Sequence, residues 1–157
     1  MRFTKPRRLV EDDDLSGSRS GKPFLDDWLR HRAKAALGRG AAVTYVTHAE
    51  DGGFAGFYSL SANSVNRDGD HGWLARNTPV QIPVPLLGML AIDERYQGNG
   101  LGWRLLQDAL QRSLSVSLQI GARALVVDPV DDEATGFYEH FGFTHIPDSA
   151  RMFLKLV

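Results

Sequence analysis

The longest uncharged apolar run in the chain covers residues 84–92, VPLLGMLAI. It shows no alternation of polar and apolar positions, so it predicts a central strand covered on both faces. A turn rich in glycine follows at residues 97–102, and a segment with helical periodicity begins directly after it. We therefore expect the fold to be organised around this unit of strand, turn and helix.

The pattern before this unit predicts a strand, a helix and a hairpin. Residues 3–10 form a short strand candidate, and Pro23 suits the first turn of a helix that Gly38 and Gly40 end. Two β-rich runs, residues 42–48 and 54–61, flank Asp51-Gly52-Gly53 and indicate a hairpin. Residues 65–85 predict a long polar connection, which in a compact domain is usually functional or mobile.

The pattern after the unit predicts two helices and three strands. The first helix covers residues 101–119, and its apolar face consists of Leu105, Leu106, Ala109, Leu110 and Leu114. A buried strand follows at residues 122–127, and Asp131 and Asp132 can cap a short helix that ends near His140. Strands at residues 144–146 and 152–157 close the sheet. The order β-α-β-β-β-α-β-α-β-β predicts an α/β (α+β) fold in which only the central crossovers are parallel.

Composition limits the class of protein. A chain of 157 residues is long enough for one domain with a proper core, and we expect a single domain over residues 1–157. The sequence contains no cysteine, which excludes disulfides and thiolate chemistry. No apolar stretch approaches the roughly 20 residues of a membrane span, and the basic first residues lack the apolar core of a signal peptide. We therefore expect a cytoplasmic protein.

Charge is distributed unevenly along the chain. The formal net charge is −1, but residues 1–40 hold ten Lys or Arg against six Asp or Glu. The remaining residues carry the excess of acidic groups. A polyanionic partner should therefore dock near the N-terminal part of the chain.

The glycine-rich turn predicts a phosphate site. Glycines let backbone N–H groups approach a ligand closely, and the start of a helix adds unpaired donors and a partial positive charge. A Walker loop would need Gly-Lys-Ser or Gly-Lys-Thr, which is absent, and a dinucleotide fingerprint would need G-x-G-x-x-G, whereas the glycines here run G-x-G-x-G. The simplest alternative is a turn that binds nothing.

Two motifs resemble those of the GNAT family of acyl-CoA-dependent N-acetyltransferases. Gln97, Gly100 and Gly102 match its pyrophosphate loop, Q/R-x-x-G-x-G/A, and FYEHFGF at residues 137–143 is similar to its FYE-x-x-GF signature. The resemblance implies a GNAT fold, with a mixed sheet of about six to seven strands and helices on both faces, and acetyl-CoA as co-substrate. It also implies a set of cofactor-binding residues, namely Leu90, Ala91, Ile92, Gln97, Gly98, Asn99, Gly100, Leu101, Gly102 and Phe137. Among them, the N–H near Leu90 would polarise the thioester carbonyl.

The resemblance extends to the GNAT toxins of bacterial type II toxin–antitoxin systems. SGKPFLDDWLRHRA at residues 20–33 of the N-terminal part, and RYQGNGLGWRLLQDAL at residues 95–110, are similar to segments of these toxins. The resemblance implies that the substrate is the α-amino group of an aminoacyl-tRNA and that a ribbon-helix-helix antitoxin is a partner. This chain has Asp128-Pro129 where the subfamily often has His-Ala. A homodimer is the default assembly.

Tyr138 is the candidate general acid that the resemblance implies. A tyrosine with the ordinary pKa of about 10 is protonated at neutral pH and can donate to sulfur as the C–S bond breaks. The alternative is an aromatic core residue, but Tyr138 lies about 100° around the helix from Phe137, which argues against a purely buried role. No general base stands out. The candidates on chemistry alone are Glu133, Asp93, Glu94, His48, His71, His140 and His145.

Four cations in and just after the first helix form the candidate RNA-binding face: Arg30, Arg32, Lys34 and Arg39. The alternative is an ordinary solvated helix face. The histidines lack metal-ligand spacing, so we expect no metal. Two other functions stay open at this point: an N-acetyltransferase of a protein amine or a small polyamine, and a non-catalytic sensor that binds acyl-CoA.

Overall fold

The computed structural model describes residues 1–66 and 81–156. The described part contains seven strands, four α-helices and a 3-10 turn at Glu94–Tyr96. The strands are β1 Arg7–Arg8, β2 Val43–His48, β3 Phe54–Asn66, β4 Gln81–Ile92, β5 Ala124–Val127, β6 Thr144–His145 and β7 Met152–Lys155. The helices are α1 Pro23–His31, α2 Ala33–Gly38, α3 Leu101–Ile120 and α4 Asp132–His140.

The strands form one mixed sheet in the order β1-β2-β3-β4-β5-β7-β6. Strands β4 and β5 are parallel, with Leu86 opposite Val126 and Leu87 opposite Val127. The pairs β1–β2, β2–β3, β5–β7 and β6–β7 are antiparallel. A long helix, α3, makes the crossover that a parallel pair requires. The predicted mixed sheet of about six to seven strands with a central parallel crossover is confirmed.

The chain divides into two compact units, each with its own apolar core. Unit one consists of Met1–Ser61 and Gly88–Ala109. Its largest cluster packs residues of α1 and the preceding loop, such as Leu25 and Leu15, with Phe57 of β3. Unit two consists of Ala62–Leu87 and Leu110–Val157. Its cluster includes Ile82, Val126 and Ile146. A single domain over residues 1–157 stays a prediction.

The N-terminal elements are shorter than the sequence predicts. The expected strand at residues 3–10 is reduced to Arg7–Arg8 and an isolated bridge between Phe3 and Ala49. Pro6, which has no N–H to donate to a ladder, separates the two. The expected first helix is two helices, because Arg32 leaves the helical conformation at φ −128°. Neither glycine nor proline marks this break.

The expected connection at residues 65–85 is wrong at both ends. Strand β3 continues to Asn66, and β4 begins at Gln81, so the long connection is strand at each border. The first half of β4 alternates exposed and buried residues, with Ile82 and Val84 buried and Pro83 exposed. This alternation is typical of a strand, but the prolines in the segment led to the prediction of a loop. The part of the predicted connection at residues 67–80 lies outside the described residues.

Helix α3 begins where the sequence predicts and ends one residue later, but its apolar face differs. Leu105, Leu106 and Ala109 are fully buried, whereas Leu114 is 39% exposed. Leu114 was therefore wrongly placed on the packed face. In the second half of the helix, Ser113 and Ser117 are buried instead. In the described residues, no helix combines the length and the apolar character needed to cross a membrane.

Candidate acetyl-transfer site

The predicted site residues lie in two parts of the chain. The end of β4 and the glycine-rich loop belong to unit one, and Tyr138 on α4 belongs to unit two. The loop offers features suited to holding a phosphate-bearing ligand, and α4 offers a proton donor.

At the end of β4, the backbone N–H groups of Leu90 and Ile92 point away from β3. The N–H of Met89 donates to Ser59 Oγ at 3.1 Å, and the N–H of Asp93 donates to the carbonyl of Ala55 at 2.8 Å. Because backbone N–H groups alternate in direction along a strand, those of Leu90 and Ile92 point to the opposite edge. The Ala91 side chain is buried in the core of unit one and thereby fixes this orientation.

Strand β5 ends before β4 does. Its last residue, Val127, lies opposite Leu87, and β4 continues to Ile92. The donors of Leu90 and Ile92 therefore lie beyond the register of the parallel pair. A strand edge of this kind can pair with an extended ligand as if a strand were added.

The glycine-rich loop presents its backbone without obstruction. Gly98 has φ +82° and Gly100 has φ +72°, a conformation that favours glycine. A Cβ built on either residue would meet no atom within 4 Å, so a ligand can approach the backbone there. Gly102 lies in the first turn of α3, and Leu101 is buried in the core of unit one. Exposed backbone leading into a helix start fits a pyrophosphate group.

Two side chains of the loop hold its shape. Gln97 Nε2 donates to the carbonyls of Ser20 at 3.0 Å and Ile92 at 3.1 Å. Asn99 Nδ2 donates to the carbonyl of Tyr96 at 2.9 Å. Both amides are therefore occupied in bracing the loop. The cofactor roles of Gln97 and Asn99 stay predictions, and they depend on backbone donors rather than on these amides.

Helix α4 forms where the sequence predicts. Asp131 caps it by accepting from the Ala134 N–H at 2.8 Å, and Gly142, at φ +94°, follows its end. The turn directs the chain back, so the Phe143 N–H donates to the Tyr138 carbonyl at 3.0 Å.

Tyr138 is more buried than the helical projection suggests. It is 5% exposed, and its ring centroid lies 5.3 Å from those of both Phe137 and Phe143. Phe137 and Phe141 are only half-buried. The argument from helical position was therefore wrong, because Phe143 returns after the turn and covers a side of the helix that the projection leaves open.

The pKa of Tyr138 is raised rather than ordinary. Burial raises this pKa most, and the negative charge of Asp128 raises it further. Within the described residues, the Tyr138 hydroxyl has no hydrogen-bond partner. The phenol is therefore protonated at neutral pH, as a general acid must be.

Asp128 is a feature of this site that sequence reasoning did not assign. It follows directly after β5, and its carboxylate accepts from Arg151 Nε at 3.0 Å. Arg151 also donates to the carbonyl of Ser64 at 3.4 Å. The position of Asp128, at the carboxyl end of a buried parallel strand, is the signal that could have identified it.

Asp93 and His48 are poorly suited to act as general bases. Burial tends to raise the pKa of Asp93, but hydrogen bonds from Arg95 and from the Arg19 N–H outweigh it and lower that pKa. Burial, followed by the charge of Arg7, lowers the pKa of His48.

The other candidate bases that the structure describes are all exposed side chains. Glu94, Glu133 and His140 are exposed, and His145 Nε2 lies 3.6 Å from Glu139 Oε1. His71 lies outside the described residues. No three His, Asp or Glu side chains of the described ranges converge as at a metal centre. The absence of a metal stays a prediction.

The four cations of the candidate RNA-binding face differ in their surroundings. Arg30 donates to the carbonyl of Ser18, and Lys34 Nζ donates to the carbonyls of Glu11 and Asp13. These two side chains secure the loop before α1. Arg32 and Arg39 are exposed. RNA contact by this face stays a prediction.

Comparison with known proteins identifies the family. Residues 9–143 match the model of the acetyltransferase (GNAT) family. The chain is 43% identical over 145 residues to the "tRNA-acetylating toxin" of Mycobacterium tuberculosis, which covers 92% of this chain and 87% of that protein. It is 32% identical over 123 residues to the "Probable toxin TacT" of Sinorhizobium fredii, covering 71% of this chain and 68% of that protein.

A solved structure has the same fold. It contains a tyrosine-to-phenylalanine mutant of the toxin AtaT, bound to the C-terminus of the antitoxin AtaR and to acetyl-CoA. It matches with a TM-score of 0.82 at 24% identity, over 99% of this chain and 94% of that chain. The predicted family and fold are thus confirmed, and the chain belongs to the GNAT family of acetyltransferases as an N-acetyltransferase.

Proposed function

We propose that this protein is a toxin that transfers an acetyl group from acetyl-CoA to the α-amino group of an aminoacyl-tRNA and thereby blocks translation in the cytoplasm. The observation that carries the proposal is the 43% identity, over 92% of the chain, to a protein named for tRNA acetylation. The exposed glycine loop and the buried, protonated Tyr138 are consistent with acetyl transfer to an amine.

Unit one would hold the co-substrate. The backbone N–H groups of residues 97–102 would bind the pyrophosphate, and the edge of β4 would pair with the pantetheine arm. Leu90 N–H, which points away from β3, would then donate to the thioester carbonyl and stabilise charge that develops on its oxygen. When bound, acetyl-CoA supplies the acetyl group as an activated thioester.

Tyr138 would supply the proton for the leaving group. Its Oη would donate to the departing thiolate as the C–S bond breaks, and the resulting phenolate would recover a proton from solvent. The raised pKa keeps this phenol protonated at neutral pH, because burial disfavours the charged form. Phe137 and Phe143 hold the ring in a fixed position.

The acceptor amine needs little help from a base. The α-amine of an aminoacyl ester has a lower pKa than a lysine amine, so a larger fraction is neutral at physiological pH. Asp93 and His48 have lowered pKa values, and the other described candidates are exposed side chains. An aminoacyl ester that loses its proton to ordered water suits such a site better than a lysine side chain does.

A transfer assay tests the proposal. Labelled acetyl-CoA is incubated with total aminoacyl-tRNA and, in parallel, with deacylated tRNA, lysine peptides and spermidine. We expect label on charged tRNA alone, and Tyr138→Phe should lower kcat by about 100-fold or more. Tyr45→Phe, which removes a tyrosine hydroxyl from β2, serves as the matched control and should retain full activity.

Two other outcomes would contradict the proposal. Label on peptides or spermidine alone would make the protein an amine acetyltransferase of another kind. Acetyl-CoA binding without transfer to any acceptor would make it a sensor.

We further propose an antitoxin partner and a homodimer. The antitoxin follows from the resemblance to toxins of type II systems, and AtaT is bound by its antitoxin in the solved structure. A ribbon-helix-helix protein encoded beside the gene is expected to suppress growth arrest when both are expressed. Sedimentation equilibrium should give twice the chain mass of 17.4 kDa.

A further inference from the structure

A cavity in unit one lies between residues 3–6, which precede β1, and the first turns of α3. Its volume is about 270 Å³, and it lies one helical turn from the glycine loop, since the Arg104 N–H donates to the Gly100 carbonyl at 3.2 Å. The residues that line it are Phe3, Thr4, Lys5, Pro6, Thr47, Leu101, Arg104 and Leu105. Two cations and no carboxylate belong to this lining.

Arg8 lies on the same face of the sheet as the cavity. Residues directly opposite in a ladder share a face, and Arg8 lies opposite Tyr45. The Tyr45 ring stacks on Tyr58, whose hydroxyl donates to Asp108 of α3, so this is the face that α3 covers. Arg7 lies on the other face, where Asp13 pairs with it at 2.8 Å.

The cations of this face are available to an anion. Lys5, Arg8 and Arg104 are exposed, and none of their side chains has an ion-pair partner within the described residues. The hydroxyls of the two threonines are uncharged donors; Thr47 Oγ1 already donates to the Thr4 carbonyl, and Thr4 Oγ1 accepts from the His48 N–H. The charged donors of the cavity are therefore Lys5 and Arg104.

We propose that Lys5, Arg8 and Arg104 bind backbone phosphates of the tRNA, one of them at the mouth of the cavity between Lys5 and Arg104. This inference rests on the proposed function. The guanidinium of Arg104 can bind a phosphate through two N–H groups, and Lys5 adds a second positive charge. The apolar lining, such as Phe3 and Leu105, suits the adjoining ribose.

This surface fits a polyanion better than the first-helix face does. Arg30 and Lys34 donate to backbone carbonyls of their own loop, which leaves only Arg32 and Arg39 of that face exposed. The cavity surface presents three cations on one face. Lys5 and Arg8 belong to residues 1–40, where the excess of basic residues predicts that a polyanion docks, as the first-helix cations also do.

Equilibrium binding of deacylated tRNA to the full chain tests the proposal. The double variant Lys5→Gln/Arg104→Gln is compared with Arg32→Gln/Arg39→Gln, which removes the same charge from exposed positions. We expect the Kd for tRNA to rise about tenfold in the first variant and less than about twofold in the second. Between roughly 50 and 200 mM salt, the slope of log K against log salt should fall by about 2 in the first variant only.

Kinetics separate a tRNA site from a cofactor site. The first variant should raise KM for charged tRNA, with kcat and the KM for acetyl-CoA unchanged. A rise in the KM for acetyl-CoA would overturn the proposal, because the two cations would then hold cofactor phosphates. An equal or larger loss of tRNA affinity in Arg32→Gln/Arg39→Gln would also overturn it.

The two experiments distinguish a wrong phosphate site from a wrong proposed function. A wild type that acetylates charged tRNA, with both double variants binding tRNA normally, would overturn the phosphate site alone. A wild type that acetylates no charged tRNA would overturn both. Thermal unfolding of the variants verifies that each is folded, as expected for substitutions at exposed positions.

Discussion

At the scale of single residues, two buried threonines of β2 differ in whether their hydroxyls are satisfied. Thr44 and Thr47 are both fully buried. Thr47 Oγ1 donates to the Thr4 carbonyl at 2.6 Å, whereas Thr44 Oγ1 has no partner within the described residues. A buried hydroxyl without a partner costs free energy, so the two positions should respond in opposite directions to the same substitution.

Thr44→Val is expected to raise the free energy of unfolding by about 1 kcal/mol, because valine keeps the β-branched shape and removes the unsatisfied hydroxyl. Thr47→Val, the matched substitution, should lower it by about 1 to 3 kcal/mol, since the Thr4 carbonyl loses its donor. Urea unfolding of both variants measures the difference. A loss of stability in Thr44→Val would show that its hydroxyl is satisfied in solution.

The buried phenol of Tyr138 should make stability depend on alkaline pH. Burial, followed by the charge of Asp128, raises its pKa in the folded state above the unfolded value of about 10. The protonated phenol therefore contributes stability that is fully present below about pH 10 and is lost as the pH rises further. Between roughly pH 10 and 11, the free energy of unfolding should fall less steeply with pH in Tyr138→Phe than in the wild type. Equal slopes would contradict a raised pKa.

The sequence predicts the identity of Tyr138 but not its surroundings. The FYE motif singles out the residue, whereas its burial depends on Phe143, which returns only after the turn at Gly142. Asp128 is missed for a similar reason, because its proximity to Tyr138 arises from tertiary structure. Arg30 and Lys34 have the pattern of a solvated helix face, and only the folded loop shows that their donors are occupied.

At the scale of elements, the bounds of a helix or strand are predicted well where a glycine or a capping residue marks its end. Helix α3 starts where the glycine loop ends, and Asp131 caps α4, so both helices are predicted closely. The break at Arg32 and the extension of β4 back to Gln81 are not predicted. The break at Arg32 has no local marker, and in the extension of β4 the prolines outweighed the strand-like alternation.

The glycine loop before α3 is predicted to bind acetyl-CoA, and a substitution at Gly100 tests this. Gly100→Ala should raise the KM for acetyl-CoA by about tenfold or more, because a Cβ would project into open space where the pyrophosphate is expected. It should also lower stability by about 1 to 2 kcal/mol, since φ is +72°.

Gly52→Ala provides the matched control for the glycine loop. This hairpin residue has φ +88°, and a Cβ there would also meet no atom within 4 Å. The strain should be similar, so the loss of stability should be similar, but the KM for acetyl-CoA should not change. Equal KM values for acetyl-CoA in the two variants would show that the glycine loop does not bind the cofactor.

At the scale of the whole molecule, the proposed reaction predicts a specific cellular effect. Expression of the wild type should arrest growth with incorporation of labelled amino acids falling before that of labelled uridine, because acetylated charged tRNA is lost to translation while RNA synthesis continues. Tyr138→Phe and Gly100→Ala should relieve the arrest, the first by removing the proton donor and the second by weakening cofactor binding. Gly52→Ala, with comparable strain, should still arrest growth. If it also relieved the arrest, lost stability rather than lost chemistry would explain all three variants, and the link between acetyl transfer and toxicity would fail.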